Sequence, residues 1–198
     1  SKNDPKLRAD IESIITEMRD AKEYGSILNI TPVDFAGLYA RFDEIRNDIN
    51  MMQMSALDEL LPLVKCAELL AQKYDVVVTN PPYMGSSNMG EALNFFVKNV
   101  YPDAKVDLST VFMERSLTMC KSNGCTAMIN IPVWMNLAGC QNLRSGIIKN
   151  NSLINMLHFG RGVFGSDFGS TAFVIYKTHV HYYNGKYRRL FLEQGAVD

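Results

Sequence analysis

The chain has 198 residues, 47% of them hydrophobic and 21% charged, and its 20 Lys+Arg against 21 Asp+Glu leave a formal charge of -1. A chain of this length buries roughly 70% of its unfolded surface, and the composition excludes wholesale disorder, collagen and coiled-coil rods. The near-neutral balance also excludes a protein held on nucleic acid by bulk positive charge, while leaving room for a local basic patch. Cys66, Cys120, Cys125 and Cys140 have no CxxC spacing and sit among apolar neighbours. They read as buried thiols of a reducing compartment, not as disulfides or zinc ligands. The start SKNDPKLRADIE has no apolar targeting segment, and no run approaches the ~18 apolar residues that span a bilayer. A cytoplasmic protein with no membrane partner is expected.

Residues 1–54 read as a helical hairpin. Asn3 or Asp4 ahead of Pro5 caps a first helix, with Leu7, Ile11, Ile14, Met18 and Ala21 at helical spacing, and Gly25 closes it. Thr31-Pro32 opens a second, whose stripe is Phe35, Leu38, Phe42, Ile45 and Ile49. From Ser55 the texture becomes alternating helix and strand. A helix through Leu57, Leu61, Val64 and Leu70 carries Pro62 near its first turn or at a kink. Val76 to Val78 then form an unalternating apolar run, the pattern of a parallel strand buried on both faces. Helices are expected over 90–100, from the Asp107 cap to a stop at Asn123-Gly124, and over 137–149. Strands are expected through 127–131, 154–159 and 171–177, the last two antiparallel. The order implies an α/β class, doubly wound sheet over residues 55–198.

Asn80-Pro81-Pro82-Tyr83 follows the valine strand directly, and in open α/β sheets ligands bind at the carboxyl ends of strands. An exocyclic amine on adenine is a poor nucleophile because its lone pair is delocalised into the ring. The Asn80 side-chain oxygen and the Pro81 carbonyl are two acceptors that draw both amine hydrogens out of plane and free that lone pair. Pro81 and Pro82 stiffen the turn, and Tyr83 is placed to stack on a base swung out of the duplex.

These residues resemble motif IV of the amino-group DNA methyltransferases that depend on S-adenosylmethionine. VDLSTVFMERSLTM (106–119) looks like that family's D-L-x-x-x-F helix. GCTAMINIPVWM (124–135) looks like the strand and Pro-x-Trp turn that follow, and FGRGVFGSDFGSTAFVIYK (159–177) like the final hairpin. The stretch from KYDVVVTNPPYMG onward is most similar to the adenine methyltransferases of BREX and phage-growth-limitation defence, with type IIG restriction-modification enzymes close behind. The resemblance implies part of a Rossmann-like methyltransferase fold, the C-terminal half of its sheet. It makes Asn80, Pro81, Pro82 and Tyr83 the catalytic positions, places Phe112 against the cofactor's adenine, and assigns Phe164 to support of the extruded base. It implies S-adenosylmethionine as cofactor and double-stranded DNA as partner, together with the rest of a parent chain and other defence subunits.

Two departures accompany it. Ser109 stands where relatives often carry an aromatic residue, and residues 1–73 contain no strand-Gly-x-Gly-helix cradle, with Gly25 and Gly37 the only glycines there. The isolated chain, as a fragment of a larger enzyme, is expected to bind the cofactor weakly or not at all and not to methylate DNA. The strand at 76–79 is expected to present an open edge, inviting self-pairing or cover by the hairpin. Gly160-x-Gly162-x-x-Gly165 opens into a strand, so it reads as a hairpin loop with positive φ, not a phosphate loop. Arg161 beside Phe164 is a nucleic-acid candidate. Lys177 heads a basic run with His179, His181, Lys186, Arg188 and Arg189, read as a DNA phosphate contact or a solvated strand face. His179 and His181 lack a third ligand, so no metal is expected. Protein glutamine and RNA guanine-amine methyltransferases share NPPY and form the enzymatic alternative. A docking module using the hairpin is the alternative of another class.

Overall fold

The computed structural model describes residues 4–47, 51–163 and 169–192. Contacts divide the chain into two units, Ser1–Gln72 and Lys73–Asp198, so the helix containing Pro62 belongs with the helices before it.

The first unit is helical. Asp4 accepts the Lys6 and Leu7 amides at 2.9 and 3.4 Å, and Pro5 opens α1 (Pro5–Glu17), matching the expected cap. A short α2 (Ala21–Tyr24) follows. The next helix, α3 (Phe35–Asn47), starts later than Thr31-Pro32 suggested. Asp34 holds its first turn by accepting the Gly37 amide at 2.9 Å, while Thr31 gives its amide to Glu17. Pro62 lies inside α4 (Met51–Ala71) and is exposed, so the helix continues through it with the lost hydrogen bond left to solvent. α4 packs with α1 and α3 around Ile14, Leu38, Phe42, Leu57 and Val64. Cys66 is exposed, contrary to the buried reading, because the helix turns Ala67 inward beside it, whereas Cys120 and Cys140 are buried. No described helix is long and apolar enough to cross a membrane.

The second unit runs β1 (Tyr74–Thr79), α5 (Glu91–Val100), α6 (Leu108–Met119), β2 (Cys120–Asn130), α7 (Val133–Asn136), α8 (Gln141–Asn150), β3 (Ser152–Gly160), β4 (Ser170–Tyr176) and β5 (Lys186–Arg189). The sheet order is β1-β2-β4-β3-β5. β1 and β2 are parallel, as are β3 and β5, and β4 is antiparallel to both neighbours. The expected α/β sheet with an antiparallel closing pair is therefore present, with β5 as an addition. Asn123 ends no helix. α6 already stops at Met119, and Asn123 sits within β2 at φ 63°, next to the register shift between Tyr74 and Val76. Gly124 is required there, since a Cβ would lie 2.8 Å from the Asp75 carbonyl oxygen.

α6 packs on β2 and β1, and α8 on β3. Alternation follows: Thr126, Met128 and Asn130 of β2 and Thr171, Phe173 and Ile175 of β4 are buried, while Ala127, Ile129, Ala172 and Val174 between them are half-covered. The reading of Val76 to Val78 as covered on both faces is corrected. Val76 and Val78 are 58% and 72% exposed, because β1 is an outer strand and no described element of this unit covers that face. β1, β2, β3 and β5 all point the same way, so their carboxyl ends share one rim, where β4 begins.

Candidate active site

Asn80 leaves β1 at that rim with its side chain exposed, and Pro81 behind it is buried. The Tyr83 hydroxyl donates to Asn80 Oδ1 at 2.8 Å, and the Ile129 carbonyl lies within 3.3 Å of the same hydroxyl. Burial pushes the Tyr83 phenol above its usual pKa, so it stays a donor near neutrality. Asn80 also sits at one end of an apolar depression of about 410 Å³ on the uncovered face, floored by Val78, Ala127, Ile129, Leu157 and Val174. The amide thus faces a cleft, not the hydrophobic interior.

The turn is fastened to α6. The Leu108 amide donates to the Met84 carbonyl at 2.8 Å and the Ser86 amide to the Val106 carbonyl at 2.9 Å, and Gly85 forms a bridge with Asp107. Asp107 caps α6 as expected, its carboxylate accepting the Ser109 amide at 2.8 Å in a capping box with Thr110. The far side of this arrangement is Asn130, which has no exposed surface. Its amide donates to the Ser109 carbonyl at 3.3 Å, its Oδ1 accepts the Ile131 amide at 2.7 Å, and its backbone carbonyl accepts the Thr171 hydroxyl at 3.0 Å. Asn130 and Thr171 therefore tie β2, β4 and α6 together behind the NPPY turn. Sequence reading missed both, because one polar residue in an apolar strand carries no periodic signal. The Pro132-x-Trp134 turn is buried at Trp134, whose ring meets Phe173 edge-on with centroids 5.3 Å apart.

The remaining candidates separate. Pro82 is exposed on the turn, and Phe112 is half-buried on α6, one turn beyond Ser109. Arg161 is exposed where β3 reaches the rim. Gly160 and Gly162 take φ of 85° and 82°, as the hairpin-loop reading requires, whereas Phe164 and Gly165 lie outside the described residues. Lys177 is at the opposite end of the sheet from Asn80. Its ammonium donates to the Cys120 carbonyl at 2.7 Å, as Lys73 does to Thr118. Two lysines thus serve the carboxyl end of α6, whose last turn has no basic residue of its own. Burial, then the charges of Lys177 and Arg115, lower the Lys73 pKa.

The Eco57I restriction-modification methylase family matches residues 10–164 of this sequence. The chain belongs to that family. The resemblance read from NPPY and its downstream motifs is borne out. This methylase chain is 37% identical over 177 residues to "Adenine-specific methyltransferase BrxX" of Escherichia coli O9:H4 (strain HS), covering 86% of the chain and 15% of that protein. It is 40% identical over 136 residues to "Adenine-specific methyltransferase PglX" of Lacticaseibacillus casei (strain Zhang), covering 67% of the chain and 11% of that protein. The chain therefore spans a small part of the length of these relatives. Among solved structures, the type IIL restriction-modification enzyme MmeI in complex with DNA aligns with a TM-score of 0.49 at 11% identity, over 67% of this chain and 19% of that one.

Proposed function

We propose that this methylase chain is the amine-activating half of a DNA adenine-N6 methyltransferase that takes its methyl group from S-adenosylmethionine and serves in phage defence or restriction-modification. The observation that carries the reading is the exposed Asn80 acceptor at the carboxyl end of β1, seated on buried Pro81 and within hydrogen-bond reach of the Tyr83 hydroxyl. The names of the two curated relatives agree with it.

In this reading the amine of an extruded adenine takes the place the Tyr83 hydroxyl now holds on Asn80 Oδ1. Asn80 and the Pro81 carbonyl accept its two hydrogens, which localises the lone pair on nitrogen. Tyr83, released, stacks on the base, at a gain of about 1–3 kcal/mol for such contacts. The turns that follow β1 and β2 offer no backbone cradle for the cofactor. Pro81-Pro82 follows β1, and the amide before Pro132 is already bonded to Asn130. Prolines have no N–H to give a ligand, so these two turns act on the amine, and Phe112 on α6 is the described residue assigned to the donor.

The test is methylation of duplex DNA by the full-length protein, with release-factor protein and RNA as competing substrates. Asn80→Ala is expected to lower adenine methylation by about 10²–10³-fold, the loss typical of removing one such hydrogen-bonding group. Undiminished methylation in Asn80→Ala, or methylation of protein or RNA in place of DNA, defeats the reading.

A further inference from the structure

Charge is concentrated at the edge of the sheet remote from Asn80. From Gly169 to Leu192 the sequence has no Asp or Glu, yet it carries Lys177, Lys186, Arg188 and Arg189. Lys177 is engaged at the foot of the sheet. The other three lie on β5, where all four residues are exposed, and among the described residues no carboxylate is within ion-pair distance of them. Cationic groups gathered on a strand edge repel one another, so their accumulation needs an anion or solvent to offset it.

The register says where this charge is delivered. β5 lies parallel to β3, with Lys186 opposite Asn155 and Arg189 opposite His158, and the Leu190 amide extends the ladder to the His158 carbonyl at 2.9 Å. β5 therefore climbs to the same rim as β1. Arg188 and Arg189 end at the rim where exposed Arg161 follows β3, and Lys186 sits lower by about 10 Å. Arg189 is also held in place. Its guanidinium lies 5.3 Å over the Phe191 ring, which meets His158 at 4.9 Å. Gly160 makes room for that ring, since a Cβ would approach Phe191 Cδ1 to 2.9 Å. An arginine stacked on a ring loses less freedom when it binds.

Resting on the DNA reading above, we propose that the rim end of β5 is a phosphate seat for the duplex, formed by Arg188 and Arg189 with Arg161 beside them. Four strand spacings separate β5 from β1, about 19 Å. A duplex lying along the rim covers that span in about five to six base steps. Adjacent strand residues point to opposite faces, so the two arginines fork around the edge and meet neighbouring phosphates from either side. The seat fixes where the duplex lies while Asn80 receives one extruded base. It reads charge and not sequence.

The experiment is a salt series of duplex binding by the full-length protein. R188Q/R189Q is expected to make the slope of log affinity against log salt shallower by about 2, with about tenfold weaker binding at 0.15 M salt. R188K/R189K is expected to keep the slope, and K186Q to change it less than either arginine. K121Q, at the foot of β2 and paired with Asp75 at 2.9 Å, serves as the charge control and should bind as wild type. An unchanged slope in R188Q/R189Q overturns the seat, and so does an equal loss in K121Q. Adenine methylation on the same preparations separates the two readings. Arginine-dependent binding without adenine methylation overturns the proposed reaction and keeps the seat, and adenine methylation with an arginine-independent slope does the reverse.

Discussion

The helical unit and the sheet unit differ in what they bury. Among the described residues of Ser1–Gln72 every buried side chain is apolar, whereas the sheet unit also buries Asp107, Ser109, Thr110, Thr126, Asn130 and Thr171. Their charges differ too: eight Lys+Arg against thirteen Asp+Glu in residues 1–72, and twelve against eight in 73–198. A buried polar group costs stability unless it is bonded, and an unbonded one costs about 1–3 kcal/mol. The helical unit avoids that cost and keeps Arg8–Glu12 and Arg41–Glu44 on its surface, where such pairs contribute about 0–1 kcal/mol. The sheet unit accepts it just behind the NPPY turn, where a fixed direction is worth more than a dry interior.

Four substitutions probe that difference. Ile14→Ala should remove about 3 kcal/mol from the helical unit, with methylation by the folded full-length protein unchanged. A fall in kcat below the melting transition would break the comparison by giving the helices a part in the reaction. Asn130→Ala leaves the Ser109 carbonyl and the Ile131 amide without their present partner. It should cost about 2 kcal/mol, a thermal midpoint lower by about 4–8 °C, and should lower kcat as well. Stability lost with kcat intact would show that the buried network serves packing alone. Tyr83→Ala should reduce methylation about tenfold through lost stacking, while Tyr83→Phe, which keeps the ring, should stay within about threefold.

The smallest effect belongs to the helical unit. Tyr39 donates to Glu68 at 2.6 Å, and its pKa is pushed up to about 12 by burial first and then by the Glu68 hydrogen bond and charge. The folded value lies above the unfolded one, so this contribution is complete below the unfolded pKa of about 10 and is lost as pH rises toward the folded value. Phenolate absorbance should show a late-ionising component that Glu68→Gln moves toward the ordinary tyrosine range. An unmoved titration would leave Glu68 without the assigned role.

The parts read correctly from sequence were those with a local cause. Asp4 and Asp107 are caps by chemistry, the apolar runs at 127–131 and 171–177 are strands, and NPPY stands after a strand because prolines end one. What was missed depended on neighbours distant in sequence. Val76 to Val78 look the same whether a strand is covered on one face or two. Lys186 to Arg189, read as a phosphate contact or a solvated strand face, have no apolar period to say which strand they join, and it is β3 that offers the edge. Lys177 looked like a phosphate ligand until the end of α6 was placed beneath it. Asn130, Ser109 and Thr171 acquire their meaning only when three elements converge.

The position of β4 has a consequence for synthesis. A ribosome that has delivered β2 and β3 has made two strands that never touch, because the strand between them is encoded after both. At about 5–20 residues per second, Asn80 precedes Thr171 by roughly 5–20 s, and the Asn130 carbonyl lacks its Thr171 partner until then. Over that interval β2 and β3 each carry an edge without its partner strand, the stage at which chaperone capture or wrong pairing competes with closure of the sheet.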